Sequence, residues 1–505
     1  MLDLRRPDEA IGAARAIRRY GSFGGLATHV ADRYGHAPAL TDERGTLSFR
    51  ELDASSNALA RGLVTDGIGP ASVIGVLNRG HRGLLLTLMA ASKIGTRTVL
   101  LNTGFAAPQL ADVCRRERID MVMADDEFAA LLEALPANVR SAPTVDELME
   151  GRSITRLPAP PTPGGIVLLT SGTTGTPKGA PRNRISPLQS AQLLDRIPWP
   201  ANSAYQVAAP LFHATGLATC ALGLALGNRV ILTRRFDPEA TLASIAEHRA
   251  GALILVPTML QRILDLPPAT IKAYDVSPLS VLFAAGSALS PDLCRRTADA
   301  FGDVLYNLYG STEVAAAAIA TPDELRAAPG TVGRPPVGCT IAAYDEQRRR
   351  IDKPGEVGTL FVSSGLSFAG YTDGGHKECV DGLLSSGDTG HFDVDGLWFV
   401  DGRDDDMIVS GGENVFPLEV ENLLAGHPAV IEASVIGVED PEFGKRLRAF
   451  VVKRQQTELD GEDVKTHVRS HLARHKVPRD VVFVDTLPRN ETGKVLKAAL
   501  QEWST

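Results

Sequence analysis

Short apolar runs alternate with helix-length segments along most of this 505-residue chain, and this alternation limits the architectures that it can adopt. Segments 49–63 and 238–248 carry apolar residues three and four positions apart, a spacing that is typical of amphipathic helices. The apolar runs have the length of buried strands and lie at 72–77, 165–169, 252–256, 281–285 and 304–308. The pattern therefore predicts an α/β fold in which helices cover mostly parallel sheets.

The texture of the sequence changes twice towards its C-terminal end. Residues 331–400 form short segments that are dense in glycine, aspartate and proline, which predicts β-hairpins or a small barrel. After the acidic linker at 402–406, strand-like runs at 430–438, 447–453 and 480–484 enclose a predicted helix at 463–474. We expect a large N-terminal domain (1–404) of layered α/β sheets plus a β-rich subdomain, followed by a small C-terminal α/β domain (405–505).

Charge and cysteine usage exclude several classes of protein. The net charge of −8 argues against a broad surface for nucleic acid or for an anionic membrane. The five cysteines form no CxxC pair, which is typical of reduced thiols in the cytoplasm. No apolar run reaches the roughly 18 residues that suggest a spanning helix. We therefore expect a cytoplasmic enzyme that binds no nucleic acid and has no integral membrane segment.

A loop rich in glycine and hydroxyl groups follows the run at 165–169 and reads TSGTTGTPKG over residues 170–179. Glycines let backbone N–H groups converge on an anion, hydroxyl groups add donors, and the lysine adds a positive charge. The loop is not a Walker A loop, because its lysine follows proline and no GK[ST] triplet occurs. A flexible surface turn is the ordinary alternative. The predicted phosphate-binding residues are Thr170, Ser171, Gly172, Thr173, Thr174, Gly175 and Lys178.

This loop resembles the signature of the adenylate-forming (AMP-binding) superfamily, which comprises acyl-CoA synthetases, adenylation domains of peptide synthetases and luciferases. Further segments resemble motifs of that superfamily in the same order, and together they cover roughly residues 25–500. They are 210–216 beside the acid tunnel, 284–288 and 307–313 around adenine and the α-phosphate, 386–388 at the ribose, 402–405 at the hinge, 411–414 facing the CoA tunnel, and 492–494 with the C-terminal lysine.

The resemblance implies a reaction that uses ATP, Mg²⁺ and, as a substrate, coenzyme A. A carboxylic acid is converted to acyl-AMP with release of pyrophosphate, and the acyl group then passes to CoA. A carboxylate is already a nucleophile at neutral pH, so the first step needs preorganised positive charge rather than a base. By resemblance, Lys494 bridges the acid and the α-phosphate, Thr312 donates a hydrogen bond to that phosphate, and Glu313 holds Mg²⁺.

The nucleotide-binding residues are also assigned by resemblance. Asp388 accepts hydrogen bonds from the ribose hydroxyls with Arg403 beside it, Asn307 faces the adenine amino edge, and Tyr309 offers a stacking face. Taken singly, the ordinary alternatives are a strand-end turn residue for Asn307, a cap for Asp388 and a surface ion pair for Arg403. The remaining members are Gly286, Ser287, Gly310 and Ser311 at the nucleotide, Gly411 and Gly412 at CoA, and Asp405 as the pivot of a mobile C-terminal domain.

His213 has two possible roles besides plain packing. By resemblance it neighbours the carboxylate of the acid and gates the acid tunnel, and a general base for the thiol is the alternative. A lone histidine next to aromatic residues is often only a packing residue. We favour the positioning role.

The identity of the acid follows less directly from the residues. The segments 213–226 and 314–320 are apolar and small, which favours a medium- or long-chain fatty acid. The pair Arg234 and Arg235 would suit a dicarboxylic acid, although a strand end is the better interpretation. An aryl acid is the alternative within the class. A ligase that loads a carrier protein and a non-catalytic nucleotide-binding relative are the others, and intact Lys178, Glu313, Asp388, Arg403 and Lys494 argue against the last.

Overall fold

A computed structural model describes residues 7–170, 177–182, 192–365, 367–368, 370–410, 413–440, 444–454, 457–490 and 493–503. The fold is of the expected mixed α/β class. The chain divides into two compact units. The first unit comprises Met1–Phe283 with Gly365–His376, and the second comprises Ala284–Ser364 with Lys377–Thr505.

The first unit contains a sheet of six strands around a buried hydrophobic core. All neighbouring strands are parallel except the last pair, which forms a hairpin. Val73–Leu77 is buried at every position, as expected for a parallel strand with both faces covered. The strands follow in the spatial order Arg140–Ser141, Met121–Ala124, Val73–Leu77, Arg97–Leu100, Ile166–Leu169 and Gly179–Arg182.

A second sheet of the first unit is also mainly parallel. Its strands follow in the order Ala252–Leu255, Ala204–Val207, Arg229–Leu232, Pro38–Asp42 and Gly45–Ser48, of which only the last is antiparallel to its neighbour. A further strand, Val281–Ala285, spans the boundary between the two units.

Helices connect these strands. The helix Phe49–Thr65 begins at a capping box in which Ser48 and Glu51 satisfy each other's backbone N–H groups. The ammonium of Lys93 is buried against it, 2.6 Å from the carboxylate of Asp53, which fixes the packing of two helices. Within the described part of this unit the helices are Pro7–Tyr34, Phe49–Thr65, Arg82–Ile94, Ala107–Arg116, Ala129–Leu132, Val145–Met149, Ala214–Ala225, Pro238–His248, Pro257–Leu264 and Pro268–Lys272.

The second unit contains the hairpin Leu305–Ser311 and Ala315–Ala320 and, after it in the chain, a six-stranded antiparallel sheet. This sheet is the predicted β-rich subdomain, and the helices Pro291–Phe301 and Pro322–Ala327 accompany it. Its strands are Cys339–Tyr344, Arg350–Ile351, Gly358–Ser364, Cys379–Val380, Leu383–Phe392 and Trp398–Arg403.

The C-terminal part of the second unit has its own sheet and its own hydrophobic core. Asp460 caps the helix Gly461–His471 by accepting a hydrogen bond from Asp463, so this helix begins two residues earlier than the sequence predicted. The strands are Ile408–Ser410, Glu413–Val415, Val430–Asp440, Gly444–Lys453 and Asp480–Phe483, and the other helices are Pro417–Ala425 and Lys497–Glu502.

The elements predicted from apolar spacing are present, with shifts at their ends. The predicted strand at 304–308 extends to Ser311, because it continues as one arm of a hairpin. The domain boundary at 404/405 stays a prediction. Among the residues that the structure describes, no helix combines the length and the apolar character that crossing a bilayer requires.

Candidate functional site

The structure holds both ends of the predicted phosphate loop in a hairpin. Leu169 pairs with Gly179 across the two strands. The N–H of Thr170 donates to the carbonyl of Lys178 at 2.9 Å, and the N–H of Lys178 donates to the Thr170 hydroxyl at 3.1 Å. The strand ends therefore bring the two termini of the loop together. Five predicted residues of the loop lie outside the described residues: Ser171, Gly172, Thr173, Thr174 and Gly175.

The side chain of Lys178 contacts a second segment of the first unit. Its ammonium lies 3.2 Å from the carboxylate of Asp373 and 5.2 Å from the ring centre of Tyr371. The pKa of Asp373 is lowered, first by a hydrogen bond from the N–H of Gly375 and then by the Lys178 ammonium. The N–H of Thr372 donates to the carbonyl of Gly179 at 2.9 Å, so this segment is joined to the hairpin as well.

Glu117, which the sequence did not single out, lies beneath the same hairpin. Its side chain is 1% exposed, and Oε1 accepts a hydrogen bond from the Thr372 hydroxyl at 2.8 Å. A Cβ on Gly179 would lie 2.7 Å from Oε1, so a larger residue there would displace the Glu117 carboxylate. Oε2 is buried without a hydrogen-bond partner among the described residues. Glu117 thus fixes the exit of the loop to the Thr372 segment.

His213 is the N-cap residue of the helix Ala214–Ala225. Its ring packs 4.4 Å from the ring of Phe212. Nε2 is buried, and no described residue offers it a hydrogen bond. Burial lowers the pKa of His213 to about 4. The ring is therefore neutral at pH 7, and its conjugate acid is too strong for efficient general-base catalysis there.

In the second unit, the candidate site is arranged around the buried carboxylate of Asp388. Asp388 lies directly across the sheet from Arg403, with 3.8 Å between Oδ1 and the guanidinium. The hydroxyl of Tyr309 donates to Oδ2 of Asp388 at 2.6 Å. Burial and the nearby carboxylate raise the pKa of Tyr309 well above its usual value, so it stays a donor. The structure thus brings three predicted nucleotide-binding residues into contact.

The positive charge of Lys494 favours the ionised form of the same carboxylate. Burial raises the pKa of Asp388, while Tyr309, Arg403, Lys494 and Lys377 oppose that shift. The backbone of Lys494 is held by Asn490, whose Oδ1 accepts from the Lys494 N–H at 2.9 Å. The predicted C-terminal lysine therefore belongs to the electrostatic environment of Asp388.

The strand Leu305–Ser311 presents the predicted adenine and phosphate residues. Asn307 is 5% exposed, and its Oδ1 is buried with no hydrogen-bond partner among the described residues. At the hairpin turn, the hydroxyl of Ser311 donates to Glu313 at 2.9 Å and accepts from the N–H of Glu313. A Cβ on Gly310 would lie 1.8 Å from the carbonyl oxygen of Ala315, which makes glycine obligatory near the end of this strand. Thr312 lies in the same turn.

Gly286 and Ser287 follow the strand Val281–Ala285 in the second unit. Gly286 has a φ of 101°, in the left-handed region that favours glycine. Its backbone is exposed and Ser287 is half-buried. Their nucleotide-binding roles stay predictions.

The predicted hinge is a short helical turn, Asp404–Asp406. The ammonium of Lys497 lies 3.4 Å from the carboxylate of Asp406 and 3.3 Å from that of Glu421. Lys497, another residue that the sequence did not single out, therefore ties the end of this turn to the C-terminal helices. The side chain of Asp405 and the whole of Gly411 and Gly412 lie outside the described residues.

The alanines after Val314 and the pair Arg234 and Arg235, which were considered for binding the acid, have ordinary structural roles. Ala317 and Ala318 are fully buried in a hydrophobic cluster that includes Ile341. Arg234 lies 3.2 Å from Asp125, and Arg235 lies 2.8 Å from the carboxylate of Glu127. The arginine pair is thus engaged in ion pairs just beyond a strand.

The described residues contain no group of three or more histidine, cysteine, aspartate or glutamate side chains that could hold a metal ion. This does not conflict with a site at Glu313, because Mg²⁺ in nucleotide sites usually takes one or two carboxylates and completes its shell with phosphates and water. The magnesium role of Glu313 stays a prediction.

The chain matches the AMP-binding enzymes over residues 27–372 and the C-terminal domain of AMP-binding enzymes over residues 419–494. It is 33% identical over 490 residues to the feruloyl-CoA synthase of an Amycolatopsis species, which covers 92% of this chain and 96% of that protein. It is 29% identical over 489 residues to the fatty acid–[acyl-carrier-protein] ligase ScoC of Streptomyces coeruleorubidus, covering 92% and 93%.

Solved structures share the fold. The o-succinylbenzoate CoA synthetase MenE of Bacillus subtilis, in complex with its acyl-adenylate intermediate OSB-AMP, matches with a TM-score of 0.83 and 26% identity. The match covers 94% of this chain and 97% of that one.

The buried environment of His213 predicts its behaviour on titration. Burial lowers the pKa of His213, whereas a hydrogen bond with Asp401 raises the pKa of His391. When the pH falls from 8 to 5, His391 should take up its proton first and His213 should stay neutral. Ring-proton NMR measures both, with His213→Gln and His391→Gln variants assigning the signals. A midpoint for His213 above pH 6 would contradict the buried, neutral ring.

Proposed function

The chain belongs to the family of AMP-binding enzymes and is an AMP-forming acid–thiol ligase, and we propose that it activates an apolar carboxylic acid and transfers the acyl group to coenzyme A. ATP, Mg²⁺ and coenzyme A are used in this reaction. The observation that carries the proposal is the buried corner of the second unit, where Tyr309, Arg403 and Lys494 all act on Asp388.

The reaction has two steps. In the first, a carboxylate oxygen of the acid bonds to the α-phosphorus of ATP, and the bond to the β-phosphate breaks, so that pyrophosphate leaves with the electron pair. In the second, the sulfur of CoA bonds to the acyl carbon, the acyl–oxygen bond breaks, and AMP leaves while the thiol proton goes to solvent. Both steps concentrate negative charge at the α-phosphate, which fixed cations stabilise.

The buried polar atoms of the second unit suit a nucleoside. The carboxylate of Asp388 accepts a hydrogen bond from the Tyr309 hydroxyl through Oδ2, and its two oxygens offer further lone pairs for the ribose hydroxyls. Oδ1 of Asn307 is a buried acceptor without a partner among the described residues. A buried acceptor without a donor is costly, and the amino group of adenine would supply that donor.

The first unit contributes the phosphate loop. Thr170 and Lys178 close its base, and the loop residues between them would cradle the β- and γ-phosphates. The side chain of Lys178 is 49% exposed and its partner Asp373 is 36% exposed. Such a pair contributes little stability in water, so a polyphosphate can replace Asp373 at low cost.

Glu313 would hold Mg²⁺, which offsets charge on the departing pyrophosphate. The hydrogen bond from Ser311 orients its carboxylate at 2.9 Å, and Thr312 lies in the same turn as the donor to the α-phosphate.

The C-terminal domain is proposed to take two orientations about Asp405. Lys494 acts on Asp388 in this structure, which suits the adenylating step. Because Lys497 joins Asp406 to Glu421, rotation at Asp405 would carry the helices and the Lys494 loop together. The second orientation would bring Gly411 and Gly412 to CoA.

For the acid, we place an aryl-substituted acid first and a medium- or long-chain fatty acid second. The run of alanines favoured a long tunnel and hence a fatty acid. That argument is weaker now, because Ala317 and Ala318 pack into a hydrophobic core. The feruloyl-CoA synthase relative supports the aryl acid, and the fatty acid ligase ScoC supports the fatty acid. ScoC also supports a carrier protein as the alternative acceptor.

Pyrophosphate release over a panel of acids tests the proposal. Ferulate, benzoate and fatty acids of increasing chain length are supplied with ATP and Mg²⁺, with and without CoA. We expect acid-dependent release that becomes catalytic only with CoA, and the highest kcat/KM for an aryl acid. A fatty acid with the highest value would contradict the first choice of acid. Turnover with a carrier protein but not with CoA would contradict the acceptor.

Lys494→Ala should separate the two half-reactions. Loss of a fixed cation at the reacting phosphoryl group should slow adenylate formation by about 100-fold or more. Thioester formation from supplied acyl-adenylate should be retained, because Lys494 has then moved away. Acid-dependent pyrophosphate exchange and CoA-dependent consumption of the adenylate measure the two steps. Lys272→Ala, an exposed lysine of the first unit, is the control. Equal loss of both steps in folded protein would contradict the two-orientation proposal.

A further inference from the structure

Lys377 lies next to the proposed nucleotide corner, although no motif of the sequence analysis includes it. It precedes the strand Cys379–Val380, which pairs with the strand Leu383–Phe392 that carries Asp388. Its side chain is half-buried. Lys377 is therefore attached to the same sheet as Asp388 and not to the C-terminal domain that carries Lys494.

The ammonium of Lys377 is directed at the residue before Asp388. A Cβ added to Gly387 would lie 3.5 Å from Nζ of Lys377 and 3.4 Å from a terminal nitrogen of Arg403. Gly387 has a φ of 80°, a backbone conformation that favours glycine. Because glycine has no side chain, the backbone between the two cations is not covered by one. Two positive groups thus flank a single residue of the ribose-binding segment.

Lys377 has no carboxylate within ion-pair distance among the residues that the structure describes. The adjacent Glu378 is already engaged by the guanidinium of Arg348, with both contacts at 2.8 Å. The charge of Lys377 lowers the pKa of Asp388, but the direct partners of that carboxylate are Tyr309 and Arg403. A half-buried ammonium beside another cation is stabilised when an anion binds between them.

We propose that the ammonium of Lys377 contacts the phosphate group of bound AMP and of the acyl-adenylate, as a cation additional to Arg403 and Lys494. The proposal rests on the proposed function, which places a nucleotide at Asp388. A phosphate is the expected partner because lysine only donates hydrogen bonds and carries a full charge, whereas the ribose hydroxyls are suited to the Asp388 acceptor.

This position gives Lys377 a role in the second half-reaction. Lys494 is expected to leave with the C-terminal domain before CoA attacks. Lys377 stays, because strand pairing holds it beside Asp388. It therefore offsets the charge that develops on AMP as the acyl–oxygen bond breaks.

Calorimetric binding of AMP and of adenosine tests the proposal. Lys377→Met should bind AMP about 10- to 100-fold more weakly, as expected for loss of a charge-assisted hydrogen bond, and should bind adenosine as the wild type does. Lys377→Arg should restore most of the AMP affinity. Lys353→Met removes the same charge from an exposed turn of the same unit and should change neither affinity. Thermal unfolding checks that each variant is folded, and Lys377→Gln replaces the methionine variant if it is not.

A second measurement separates Lys377 from Lys494. With supplied acyl-adenylate, Lys377→Met should slow thioester formation about 10-fold, whereas Lys494→Ala should leave that rate unchanged. The proposal is overturned if folded Lys377→Met binds AMP within twofold of the wild type, or if AMP and adenosine lose affinity equally, since that pattern belongs to a residue that only shapes the pocket. Wild-type protein that binds neither ligand would overturn the proposed function as well.

Discussion

The hydrogen bond from Tyr309 to Asp388 is the contact on which the second unit's candidate site depends. It joins the strand that carries Asn307, Gly310 and Ser311 to the sheet that carries Arg403. Burial disfavours the charge of Asp388 and raises its pKa, and the tyrosine hydroxyl and the surrounding cations offset part of that cost. A buried carboxylate that is supported in this way can accept hydrogen bonds from a ligand without moving, which is the preorganisation that the chemistry needs.

The first unit meets a different requirement. Its phosphate loop must carry many donors and therefore has little apolar surface with which to pack. The buried side chain of Glu117 supplies contacts that the loop cannot make for itself. It holds the Thr372 segment against Gly179, where the loop ends. These contacts fix the base of the loop, and Lys178 remains exposed enough to exchange a carboxylate for a phosphate.

Local sequence could predict the elements and motifs but not the groups that support them. Apolar spacing located the strands, since burial is a local property of a run of residues. Glu117 could not be found in this way, because its partner Thr372 lies 255 residues further along the chain. Lys377 and Lys497 gain their significance from tertiary contacts as well. The alanines after Val314 were expected beside a tunnel, but small residues in a strand serve equally in a packed core, and Ala317 and Ala318 lie there.

Acyl transfer through an adenylate determines where the oxygen atoms of the acid are found in the products. One oxygen of the acid's carboxylate must remain on the α-phosphate when CoA takes the acyl group. The direct measurement is turnover of an acid labelled with ¹⁸O in both carboxylate oxygens, with unlabelled ATP and CoA, followed by mass spectrometry of the nucleotide and of pyrophosphate. One ¹⁸O in AMP and none in pyrophosphate is the predicted result. Unlabelled AMP, or label in orthophosphate with ADP as the nucleotide product, would contradict it.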